Sequence, residues 1–148
     1  LLIGVVAGSI FIASTLGQFL QGALPLRLRL PLGCVSLMLG VIPIALGIYT
    51  QSLSLFITGA VIAGMGQGIS FRADMGAIAS ASPTTEKAAV TSAFFVVAYI
   101  AISVPVIGLG VMATVTSLTT TGISFAAVMG SLAALALVLL IRRERAEA

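Results

Sequence analysis

LPLGCVSLMLGVIPIALGIYTQSLSLFITGAVIAGMGQGISF, residues Leu30 to Phe71, runs for 42 residues without one charged side chain. About 20 apolar residues cross the hydrocarbon core of a bilayer at ~1.5 Å each. The run is therefore long enough for two spanning helices and a tight turn. Its most polar point, Tyr49-Thr50-Gln51-Ser52, is where the turn is expected. Working outward, Leu1 to Leu26 is also uncharged and fits one helix ending near Gly22. Ala88 to Ile141 is uncharged for 54 residues and holds two helices, divided by the Thr/Ser-rich piece from Thr114 to Gly122. The spacing predicts five helices, over roughly 1–22, 30–49, 53–80, 87–113 and 122–141, followed by a tail over 142–148. Helices are expected over barrel strands, because the apolar runs are continuous rather than alternating.

Composition points the same way. Of the 148 residues, 59% are apolar and 7% charged, whereas a soluble domain carries roughly 25% charged residues. Eleven charges cannot cover a water-soluble globule, and disorder needs the opposite balance. The expected class is all-α, a polytopic transmembrane helix bundle.

Absent residue types remove most chemistry. There is no His, Trp or Asn, and Cys34 is the only cysteine. An internal disulfide, a CxxC pair, a His-containing zinc set and a Ser-His-Asp triad are all excluded. Lys87, the only lysine, follows Glu86 rather than a Gly-rich loop, so no phosphate-binding loop exists. No enzyme and no cofactor is expected. A net charge of +3 could suggest nucleic acid, but the basic residues are scattered between apolar runs. Membrane sidedness accounts for them better.

Arg27 and Arg29 fall between the first two expected helices, Lys87 between the third and fourth, and Arg142, Arg143 and Arg145 after the fifth. The connections near 50–52 and 114–121 carry no charge. All basic connectors thus share one side, which the positive-inside rule makes cytoplasmic. The C-terminus is then inside and the N-terminus outside. The chain opens on Leu1 within an apolar run, so a preceding helix is expected.

Three stretches carry a family resemblance. "GALPLRLRL" (Gly22 to Leu30) stands where a loop motif G-x-L-a-D-r-x-G-r-r would lie. Gly22, Leu24 and Arg27 match it, with Leu26 in place of the Asp and Arg29 in place of the Gly. "GMGQG" (Gly64 to Gly68) is followed by Ser82-Pro83-Thr84-Thr85-Glu86-Lys87, and "AFFVVAYIAISVPVIGLG" (Ala93 to Gly110) makes the fourth helix. In order and sidedness these resemble the major facilitator superfamily of secondary transporters, specifically the last five of its twelve helices. Ala60, standing where the other half carries a buried Arg, favours the C-terminal half, here lacking its first helix. The resemblance implies a bacterial inner-membrane permease that moves a small-molecule substrate, such as a drug-like compound or a sugar, outward by alternating access. It implies a proton or sodium gradient as the energy source and the missing N-terminal half as partner. A five-helix membrane subunit that assembles with separate partners and has no solute path is the competing reading.

Individual residues carry two readings each. Gly64 and Gly68 form a small-xxx-small pair, which serves close helix packing or lines a path. Pro105, with Gly108 and Gly110, kinks the fourth helix, as a gate or as a static bend. Arg72 and Asp74 are the only charges inside an expected span, and such residues are functional by default. Arg72 would lie about 28 Å along its helix, close to the inner boundary. There it snorkels to water and Asp74 sits in the headgroup zone, so anchoring or cytoplasmic gating is expected ahead of substrate or proton handling. Two positions apart means about 200° around a helix, so these charges cannot simply neutralise each other. With Arg27 they form the gating or charge-network set. Gln18 and Gln67 are polar at membrane depth and either bond across helices or face a cavity. By resemblance, Gln18, Gln67, Phe95, Tyr99 and Ser103 are the substrate-path candidates, and ordinary packing is the alternative for the aromatics.

Overall fold

The computed structural model describes residues 2–146; Leu1, in the first expected span, and residues 147–148 of the expected tail lie outside the described residues. The described chain is all-α, with five long helices and no strand. These are α1 (Leu2–Leu20), α2 (Leu26–Tyr49), α3 (Leu53–Ala81), α4 (Lys87–Val115) and α5 (Leu118–Ala146), with a 3-10 turn at Gln21–Ala23. All five are long and apolar enough to cross a membrane.

Two helix starts differ from the sequence expectation, for local reasons. Helix α2 begins at Leu26 rather than Leu30, because Pro25 sits at its N-cap and the Leu28 amide bonds the Pro25 carbonyl at 2.9 Å. A proline-preset backbone starts the helix there, and Arg27 and Arg29 become helical instead of loop residues. Helix α5 begins at Leu118 rather than Gly122, because the Ser117 hydroxyl accepts from the Thr120 amide at 3.1 Å. That is an N-cap, and it recruits the threonine run into the first turn. The same helix continues through the basic residues to Ala146.

The α2–α3 turn closes with a left-handed residue. Gln51 has φ of 53°, the Ser52 amide bonds the Gly47 carbonyl at 2.9 Å, and the Gln51 amide reaches the Ile48 carbonyl at 3.4 Å. This pair of bonds is the Schellman arrangement, which usually has glycine at the left-handed position.

Packing is built from small residues. In α2, Gly33, Gly40 and Gly47 recur every seven residues, and they meet Ser70, Ala63 and Phe56 of the antiparallel α3. A methyl added at Gly66 would come within 2.7 Å of the Gly33 carbonyl oxygen and 2.8 Å of the Leu37 amide nitrogen. A methyl at Gly59 would lie 2.6 Å from the Gly40 oxygen. The Ser36 hydroxyl crosses the seam to donate to the Ile62 carbonyl at 2.8 Å. On the other side of α3, Gly64 and Gly68 receive the backbone of Ile10 and Ser14 from α1, which runs parallel to it. Helix α5 packs along α2, with Gly122 against Ile48 and Gly130 against Val41.

The most buried side chains are the small ones of Ala13, Ala60, Ala126 and Thr121, and among the described residues no large side chain is fully buried. Phe11 and Phe19 are 73% and 78% exposed. In water this would invert the hydrophobic effect. In lipid it is the expected order, since small residues let backbones approach and large apolar ones face the acyl chains. The described bundle is compatible with an integral membrane protein.

Helix α4 stands apart: none of its residues is buried. Phe71 of α3 holds it through Phe94 and Phe95, with ring centroids 6.0 Å and 6.3 Å away and the last two 5.9 Å from each other.

Candidate functional site

Polar groups gather at the basic end of the bundle, where α1 ends, α2 begins, and α3 and α5 finish. Arg72 and Asp74 leave α3 in different directions and line two separate clefts. Among the described residues no ion pair joins them.

The first cleft, about 700 Å³, lies between the 3-10 turn, the start of α2 and the end of α3. Gln21, Arg29 and Arg72 line it, above a floor containing Ala73, Gly76 and Ala77. Arg29 is steered there by its own backbone neighbourhood, since its Nε donates to the Leu24 carbonyl at 3.0 Å. The Gln21 side chain is 8% exposed, and its Oε1 has no hydrogen-bond partner among the described residues. Arg27, one of the expected charge-network residues, is exposed and does not line this cleft.

The second cleft, about 510 Å³, opens between α2, α3 and α5. Asp74 and Ser70 line it from α3, one turn apart, with Cys34 from α2 and Arg143 from α5. The Ser70 Oγ is buried without a partner among the described residues. This grouping holds one carboxylate, one guanidinium and two small polar side chains, drawn from helices far apart in sequence. Such a set can bind or exchange a cation at the carboxylate while the guanidinium and hydroxyl adjust around it.

Sequence reading selects Asp74, uses Cys34 only to exclude a disulfide, treats Arg143 as a topology signal and passes over Ser70 and Gln21. The available signal was spacing: Ser70 and Asp74 are four residues apart and so share one helix face. Nothing in the sequence showed that α5 brings Arg143 to that face.

The substrate-path candidates do not converge on one cavity. Gln18 is half-buried on α1, Gln67 is exposed on α3, and neither forms a hydrogen bond among the described residues. Tyr99 is 68% exposed and Ser103 is exposed on α4, and Phe95 belongs to the aromatic contact with Phe71. Gly64 and Gly68 are buried against α1, which leaves no space beside them. Pro105 and Gly108 line a small crevice of about 180 Å³ between α4 and α5, opposite Thr121 and Phe125. Helix α4 passes through Pro105 as one continuous helix. Comparison with protein-family models, with curated proteins and with solved structures finds nothing that matches this chain.

Proposed function

We propose that this chain is part of a secondary active transporter, a permease of the major facilitator type that moves a small solute by alternating access. In this reading it sits in a bacterial inner membrane with its C-terminus in the cytoplasm and works against an N-terminal helical half. The observation that carries the reading is the place of Asp74, a carboxylate on a spanning helix in a cleft shared with Arg143, Ser70 and Cys34. Near the inner boundary of a spanning helix, a carboxylate between packed helices suits a cytoplasmic gate that responds to a bound cation. Proton or sodium binding at Asp74 changes the charge between α2, α3 and α5, and such a change biases one helix packing over another. The loose attachment of α4 supports the same reading, because an unburied helix is free to seat against a second half that rocks. Gln18, Gln67, Phe95, Tyr99 and Ser103 then face the solute only once that half is in place.

The test uses the full-length reading frame containing this chain, reconstituted in proteoliposomes. Ethidium and a labelled disaccharide serve as probes under imposed proton and sodium gradients. One gradient is expected to drive flux, and Asp74→Asn is expected to abolish accumulation while leaving exchange at equal concentrations. Absence of flux with both probes, or accumulation unchanged by Asp74→Asn, overturns the proposal. The exposed α4 also suits a non-transporting subunit, whose mark would be stoichiometric co-purification of a separate membrane partner without flux.

A further inference from the structure

We infer that the cleft between the 3-10 turn, the start of α2 and the end of α3 is a binding site for an anionic, hydroxyl-bearing phospholipid headgroup of the phosphatidylglycerol kind. Three independent features define the ligand. Charge comes first. Arg29 and Arg72 both line the cleft and no acidic side chain among the described residues does. Guanidinium groups recognise phosphate oxygens through paired N–H donors. Because Arg29 uses only its Nε on the Leu24 carbonyl, its terminal nitrogens stay available.

Hydrogen bonding comes second. Gln21 is more than nine-tenths buried, and its Oε1 is an acceptor with no donor among the described residues. A buried orphan of this kind calls for a donor supplied by a ligand. A lipid phosphodiester has none to give, whereas a headgroup hydroxyl does. Shape is the third feature. The floor runs along α3 through Ala73, Gly76 and Ala77, and a Cβ built at Gly76 would meet nothing within 4 Å. The cleft therefore opens from the arginines toward the end of α3, with room for a headgroup glycerol beside the phosphate. Its place at the end of the bundle, where the basic residues collect, matches the depth of a lipid headgroup.

The test is native mass spectrometry of the intact chain in detergent, titrated separately with phosphatidylglycerol, phosphatidylcholine and inorganic phosphate. Phosphatidylglycerol is expected to bind about tenfold more tightly than phosphatidylcholine, a difference worth ~1.4 kcal/mol. The double substitution Arg29→Gln with Arg72→Gln should remove that preference. Gly76→Leu, which fills the open part of the cleft and leaves both charges, should weaken both lipids. Gln21→Leu should erase discrimination between phosphatidylglycerol and its O-methylated analogue. Lys87→Gln, on the same end but outside the cleft, should change nothing. Equal binding of the two lipids overturns the proposal. So does a loss in Lys87→Gln as large as in the arginine pair, which would indicate diffuse attraction. Displacement of the lipid by millimolar inorganic phosphate overturns it as well.

Discussion

The α2–α3 seam and helix α4 are equally apolar stretches of one chain, yet they are held by opposite means. At the seam, glycines every seven residues on α2 meet Gly59, Ala63, Gly66 and Ser70 on α3, so that backbone touches backbone. Helix α4 has Gly108 and Gly110, and a Cβ at either would meet nothing within 4 Å. Hydrophobicity alone does not attach a helix in lipid, because the acyl chains are as apolar as leucine. Close fit does. The same residue type is therefore structural glue at one place and idle at the other.

The sharpest way to break this comparison is to make one substitution in both regions. Gly68→Ala drives a methyl into the Ser14 carbonyl of α1, and Gly66→Ala drives one into Gly33 and Leu37 of α2. Each is expected to cost about 1–3 kcal/mol by overpacking, read as a lower midpoint in detergent-induced unfolding. Gly108→Ala should cost nothing and gain up to ~1 kcal/mol from helix propensity. If all three lose stability alike, the distinction between seam and α4 is wrong.

Next in size is Phe71→Ala, which removes the ring that both Phe94 and Phe95 approach. Loss of about 1 kcal/mol of aromatic pairing is expected. It should appear as faster amide hydrogen exchange in α4 with α2 and α3 unchanged. Uniform acceleration across the bundle would show that α4 is part of the same cooperative unit. Gln51→Gly relieves a left-handed residue at the seam's turn and should raise stability by roughly 1 kcal/mol. An unchanged or lower midpoint would show that Gln51 is not strained there. The smallest effect belongs to Ser36→Ala. Its bond to the Ile62 carbonyl is replaceable in a membrane, and the expected loss is about 0.6 kcal/mol. A loss several times larger would mean that hydrogen bonding, not close fit, holds the seam.

The candidate site was legible in part. Asp74 and Arg72 stood out because charges in apolar runs are rare, and their angular separation on a helix follows from the chain alone. Their partners did not stand out. Cys34, Ser70 and Arg143 join Asp74 only because α2 and α5 pack beside α3, and Gln21 is buried only because the 3-10 turn folds it inward. The glycine repeat at 33, 40 and 47 was a readable signal of the seam, since a seven-residue period keeps one face toward a neighbour. The reading stopped at the more compact Gly64–Gly68 pair.

By itself the sequence determined that this chain is all helix and that five of its segments are long and apolar enough to cross a bilayer. Those properties depend on local quantities: the length of each uncharged run, the solvation cost of a backbone amide in lipid, and where the charges fall. Tertiary structure alone decided which helix touches which, which cleft holds each charge, and that α4 is the loosely held one. The physical reason is that in lipid every face of such a helix is apolar. The choice of partner then rests on sub-ångström fit between backbones, a property of pairs of segments that neither carries alone.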